Sequence, residues 1–160
     1  RAAEWLRVLH DATEGYTDPD PKWRGAPRKL AEVICHNDFA PYNMVFRDQE
    51  LVGVIDWDFA APGPRLWDLA YLAYRAVPLM RPTNPDAPDL PIDLGSRLEL
   101  LLRSYGTDAT VPELLSVIVE RLEHLAAFTH SHGLARKNDK LLLDAENYSK
   151  DAAYLAGLLG

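Results

Sequence analysis

The sequence predicts a mainly helical α+β fold with one short β-hairpin, and three observations carry that expectation. Short apolar runs rich in β-branched residues crowd between residues 33 and 56. Beyond Asp68, apolar residues recur at helical spacing with capping residues at the ends of each run. Prolines gather into two breaks, within residues 15–28 and residues 78–91.

The first segment, RAAEWLRVLHDA, sets Ala2, Trp5, Leu9 and Ala12 on one face of a helix. Gly15 and the prolines of GYTDPDPKWRGAP then predict an exposed loop over residues 15–28. AEVIC reads as a short buried strand, and NMVF and LVGVID as two more, joined by the polar turn RDQE into a hairpin. APGPR is expected to break regular structure, and Asp68 stands where a helix N-cap belongs, ahead of LAYLAYRAV. The prolines of residues 78–91 forbid regular structure there. Three helices are predicted after them. The first covers residues 93–104 with Gly106 behind it. The second covers residues 110–132, opening on a capping box of Thr110 and Glu113 and closing before Gly133. The third covers residues 138–159.

Composition bounds the function. A chain of 160 residues, 48% hydrophobic, can bury one core, so residues 1–160 are read as one domain. Charge interrupts every apolar stretch before membrane-spanning length, and no basic-then-apolar leader precedes the first helix, so a cytoplasmic protein with no membrane partner is expected. Cys35, lone and inside an apolar run, excludes an internal disulfide and reads as a small buried hydrophobe. A net charge of -7 without a basic cluster argues against nucleic acid and, if charge selects a partner, favours a cation. The chain opens on Arg1, directly in helical sequence, which suggests a piece of a longer protein.

Between the first two predicted strands lies VICHNDFAPYNMVF, where His36, Asp38 and Asn43 form H-x-D-x-x-x-x-N. That is the spacing of the kinase catalytic loop, in which Asp receives the acceptor hydroxyl proton and Asn binds magnesium. The hairpin that follows ends in VIDWD and delivers Asp56 where such a fold supplies its second metal-binding carboxylate. Phosphoryl transfer spreads charge over the γ-phosphoryl oxygens, so the protein mainly positions groups and supplies cations. Magnesium is hard and takes oxygen ligands, one or two from protein, which Asn43 and Asp56 would provide. An aspartate is a weak base, so the task of Asp38 would be to aim the substrate hydroxyl and accept its proton late.

The run ICHNDFAPYNMVFRDQELVGVIDWDFAAPGPRLWDLAY resembles the catalytic segment of the aminoglycoside phosphotransferase and choline kinase family, the small-molecule branch of the protein-kinase-like fold. The resemblance is specific over residues 33–74. It implies a kinase-like C-terminal lobe with a short catalytic hairpin, ATP (GTP ranked second) and Mg2+ as cosubstrate and metal, and a small-molecule hydroxyl as acceptor. By motif position, Asp38 would be the catalytic aspartate, Asn43 and Asp56 the magnesium ligands, and His36 a structural member of the loop. Asp68, in WDLAY, resembles the family's aspartate that hydrogen-bonds back to the catalytic loop, and Asp58 is a candidate additional metal contact. Position 37 departs from the pattern, with Asn where Gly is more usual. Nothing before residue 33 reads as the nucleotide-clamping β-lobe, so the nucleotide-binding residues of that lobe stay unassigned. The fragment alone is expected to be inactive, and the surface facing that lobe to self-associate.

Plainer readings stand beside these. Asp38 and Asn43 would also suit an Asx-type turn before Pro41, and Asp68 a helix cap alone. Asp56 and Asp58, two apart on a strand, would form a two-acid metal site of the nucleotidyltransferase sort, leaving the histidine loop unexplained. His130 and His132 read as surface residues near a helix end, and Trp57 and Trp67 as core or lobe-interface packing, with stacking on a cationic substrate as the alternative for an aromatic near the metal. The rival from another functional class is a catalytically inactive binding or scaffold domain.

Overall fold

A computed structural model describes residues 1–17, 20, 22–89 and 93–159. Asp18, Pro19 and Pro21 of the first predicted loop, and Leu90, Pro91 and Ile92 around the second, lie outside the described residues, as does Gly160. In order the elements are α1 (Ala2–Ala12), β1 (Val33–Cys35), a 3-10 turn (Pro41–Asn43), β2 (Met44–Arg47), β3 (Glu50–Val54), β4 (Ala61–Gly63), α2 (Arg65–Ala76), α3 (Leu94–Tyr105), α4 (Val111–Arg136) and α5 (Asp139–Ala156). The chain is mainly helical, with two small antiparallel sheets, β1–β4 and β2–β3. Among the described residues no helix is long and apolar enough to cross a membrane.

The core is organised around α2. From Trp67 to Tyr74 every residue of this helix is buried, which identifies it as an interior helix covered on all sides. It meets α1 and α4, while α4 and α5 pack along each other over most of their lengths. The proline-rich segment after α2 is pinned by one buried acid. Asp151 of α5 accepts hydrogen bonds from the Tyr74 hydroxyl, the Asn84 amide and the backbone and guanidinium of Arg81.

Several boundaries differ from those expected, each for a local reason. The buried face of α1 is Ala3, Leu6 and His10, and Trp5 and Ala12 are exposed. APGPR does not break structure throughout, because Ala61–Gly63 pairs with β1 in the register Val33↔Gly63 and Cys35↔Ala61. Pro62 is tolerated because each strand of this two-stranded ladder is an edge. The N-cap of α2 is Pro64, so Asp68 sits inside the first turn and caps nothing. The capping box of Thr110 and Glu113 opens α4 as expected, but the helix runs through Gly133 to Arg136. Gly133 is there for packing: a Cβ on it would lie 2.7 Å from Leu142 Cδ2 of α5. Lys137, in the left-handed conformation, and the N-cap Asn138 then fold α5 back along α4.

The hairpin matches its sequence signature. Asp48 and Gln49 both have positive φ, as a two-residue turn of the type that matches strand twist requires. Pairing runs from Arg47↔Glu50 to Met44↔Val54, with a bulge that interrupts the register between Val45 and Phe46.

Candidate active site

The histidine loop leaves β1 and is tied down from below by α2. The Asp68 carboxylate is fully buried and accepts the backbone N–H of His36 at 2.6 Å and that of Asn37 at 2.9 Å. Two successive N–H groups converging on one anion make a backbone nest. Asn37 has φ +64, a conformation that glycine adopts freely and that asparagine tolerates better than most residues, which accounts for Asn at this position. Its side chain donates to the Phe59 carbonyl and accepts from the Trp67 indole N–H.

His36 is a strut. Its Nε2 donates to the Ile55 carbonyl at 2.9 Å while its Nδ1 accepts the Asp38 N–H at 3.2 Å, so both ring nitrogens are used and the tautomer is fixed. The ring also lies 4.6 Å from that of Trp57. His36 thereby links the catalytic-loop candidate to the exit of β3.

Asp38 lines a cleft of about 460 Å³. One carboxylate oxygen accepts from the Tyr42 hydroxyl at 2.5 Å and the other from Asn43 Nδ2 at 2.8 Å. The Tyr42 hydroxyl also lies 2.8 Å from that of Tyr71. Burial, then the hydrogen bond to Asp38, pushes the Tyr42 phenol well up, so it stays protonated and able to donate.

Asn43 closes the 3-10 turn, whose first residue is Pro41, and is buried. Its Nδ2 also bonds the Asp38 carbonyl, which leaves Oδ1 as the amide's ligand atom. Its backbone carbonyl accepts the Ile55 N–H at 3.0 Å, extending the hairpin ladder by one step. Asn43 and Asp56 are therefore brought to the same open end of β2 and β3. Asp56 is exposed and left-handed, φ +65, and no donor among the described residues reaches its carboxylate. Oxygen donors from an amide and a carboxylate suit a hard divalent ion such as magnesium.

The strand-borne two-acid arrangement does not form. β3 ends at Val54, and Asp58 lies in the following turn, where Arg24 binds it at 2.6 Å. His130 and His132 belong to no metal-capable cluster among the described residues. One such cluster exists elsewhere: His10, Cys35 and Asp68 place potential ligand atoms within 4.8 Å of one another. All three are otherwise engaged. His10 meets the Tyr105 hydroxyl and Asp68, Cys35 donates to the Pro64 carbonyl, and burial pushes the Cys35 thiol up, away from the thiolate a metal needs.

The sequence reading missed His10, Arg121 and the α5 wall of the cleft, Asp144 and Tyr148. For His10 a signal was present, the spacing of Ala3, Leu6 and His10. Arg121 sits buried on α4 and donates to the Asn37 carbonyl at 2.5 Å, and no local pattern marks it.

Comparison with known proteins falls on this same region. Residues 1–94, more than half of the chain and the part containing Asp38, Asn43, Asp56 and Asp68, match the phosphotransferase enzyme family. The trifolitoxin immunity protein of Rhizobium leguminosarum bv. trifolii is 45% identical over 162 residues, an alignment covering 92% of this chain and 52% of the relative. The chain thus spans about half the length of that relative. With loop, hairpin and α2 all inside the matched segment, the chain belongs to the phosphotransferase enzyme family.

Proposed function

We propose that this chain is the C-terminal, catalytic-loop lobe of a kinase that transfers the γ-phosphoryl group of ATP to a hydroxyl of a small molecule. The observation that carries the reading is the position of Asp38. Its carboxylate opens on a cleft of small-molecule size and is held by Tyr42 and Asn43, next to the hairpin end that presents Asn43 and Asp56.

On this reading, Asp38 accepts a hydrogen bond from the acceptor hydroxyl and aims its oxygen in line with the γ-phosphorus. The new P–O bond forms as the bond to the bridging oxygen of ADP breaks, and the hydroxyl proton passes late to Asp38. Tyr42 fixes the carboxylate, and the Asp68 nest fixes the loop, so little reorganisation is needed at the reacting atoms. Asn43 and Asp56 would hold magnesium, which when bound neutralises phosphate charge.

The test is magnesium-dependent ATP consumption by the full-length protein over a panel of small hydroxyl compounds, repeated with Asp38→Asn. The variant should lower kcat by roughly 10²- to 10⁴-fold with ATP affinity little changed. Near-normal turnover would remove Asp38 from the mechanism. The second reading is a catalytically inactive kinase-like binding or scaffold domain, with which a relative named as an immunity protein is compatible. Failure of the wild-type protein to consume ATP with any acceptor would favour it.

A further inference from the structure

The cleft beside Asp38 gathers arginines in a chain that is acidic as a whole. Net charge is -7, yet Arg24, Arg28 and Arg121 line the cleft against only two aspartates, Asp38 and Asp144. Arg24 is neutralised by Asp58. Of the other two, Arg28 has one longer ion pair, to Glu120, and Arg121 has none among the described residues.

Arg28 and Arg121 both lie on the buried indole of Trp67, with guanidinium carbons 3.2 Å and 4.8 Å from the ring centre. The acid paired with Arg28 is Glu120, 3.7 Å away and 67% exposed, a contact weakened by solvent. Arg121 is only 4% exposed. Among the described residues its guanidinium makes one hydrogen bond, to the Asn37 carbonyl, and its shielded Nε has no acceptor. Burial and then the neighbouring Arg121 charge pull Arg28 below the usual guanidinium value, and burial does the same to Arg121. His124, on the same wall, is lowered by burial and by both arginines, which favours its neutral form. Arg121 feels the buried Asp68 carboxylate and, more weakly, Asp38, but among the described residues no carboxylate is in contact with it, and a buried cation held that way beside a second cation on the same aromatic ring is costly to keep. An anion delivered by a ligand would relieve both.

Placement and shape specify the ligand further. Arg121 bonds the residue immediately before Asp38, so an anion at the arginines lies close to a hydroxyl at Asp38. The remaining lining is partly aromatic, with Phe59 edge-on to Phe128, and Tyr148 of α5 also lines the cleft. Resting on the kinase reading above, we propose that the acceptor carries an anionic group beside its hydroxyl, seated at Arg28 and Arg121, with an apolar body against Phe59, Phe128 and Tyr148. A polycationic acceptor would meet two guanidinium groups there and is disfavoured, although the net charge of the whole chain points the other way.

Calorimetric titration of the full-length protein tests this with four probes that share a hydroxymethyl group and a ring. They are para-hydroxymethylbenzoate, its amide, para-hydroxymethylbenzylamine and para-hydroxymethylphenyl phosphate. At least one of the two anions should bind about tenfold or more tightly than the amide and the amine. The tighter of the two anions identifies the anion as carboxylate or phosphate. Arg28→Gln should cut the preference to about twofold and Arg28→Lys should retain most of it, with circular dichroism unchanged in both. The proposal is overturned if the amine binds as well as the anions, if no probe binds, or if the preference survives Arg28→Gln. Because binding is read without turnover, its failure leaves ATP consumption untouched, and loss of ATP consumption with the anion preference intact would overturn the kinase reading alone.

Discussion

Two acidic side chains two residues apart, Asp56 and Asp58, have been given different environments. Asp56 is held left-handed, a conformation that costs a non-glycine residue on the order of 1–3 kcal/mol and that is found where a side chain must be aimed. Asp58 is already engaged by Arg24. Binding a cation through Asp58 would first require that contact to break, whereas Asp56 has no competing donor among the described residues. In the full-length protein, Asp56→Ala should therefore abolish magnesium-dependent ATP binding, and Asp58→Ala should change it by no more than a few-fold. Isothermal titration with and without magnesium reads both, and the reverse order would transfer the metal site to Asp58.

At the scale of elements, the loop is shaped by an acid from a different helix. Burial alone would raise the Asp68 carboxyl, but hydrogen bonds and charge from His10 and His36 outweigh it and hold the group below the usual carboxylate range. A depressed carboxyl contributes stability that is present above its unfolded value, about 3.9, and is lost as pH falls below that toward the folded value. Asp68→Asn leaves a buried N–H donor of the nest poorly paired and should destabilise the fold by about 1–3 kcal/mol. Chemical denaturation of the full-length protein should show this gap at neutral pH and its closing below about pH 4. A gap unchanged in acid would mean that Asp68 is not ionised in the folded protein.

The same element shows what a sequence can and cannot express. The spacing of His36, Asp38 and Asn43 and the hairpin were legible because each is a local pattern. The anchoring of the loop was readable only through resemblance, since a carboxylate in WDLAY carries no sign of which N–H groups it will meet. Pro64, capping α2 one turn earlier, moved Asp68 from a cap to the interior. Gly133 looked like a stop because a glycine after a periodic run usually is one. Its partner Leu142 belongs to the next helix, and such long-range contacts leave no mark in a local window. Arg121, on which the proposed acceptor seat rests, was hidden for the same reason.

At the scale of the whole molecule, the hairpin that presents Asp56 also exposes Val45, Phe46, Val52, Ile55 and Trp57. Consecutive strand residues such as Val45 and Phe46 point to opposite sides, so the hairpin carries exposed apolar side chains on both, a surface of the kind that partners cover. The chain spans about half of the relative it matches, and the kinase reading assigns this face to the lobe that would clamp the nucleotide from above. Without that wall, water screens the attraction between metal and phosphate that a closed, low-dielectric cleft strengthens. Residues 1–160 on their own should bind ATP and magnesium in the millimolar range or not at all, transfer no phosphoryl group, and self-associate through the hairpin face. Calorimetry gives the affinity and sedimentation gives the association state. A Phe46→Ser, Val52→Ser double variant should reduce self-association without altering the cleft, because both side chains lie on the exposed hairpin and neither lines it. Micromolar ATP affinity, or turnover within about tenfold of the full-length protein, would show that these residues form a complete catalytic unit and that the hairpin face has another purpose.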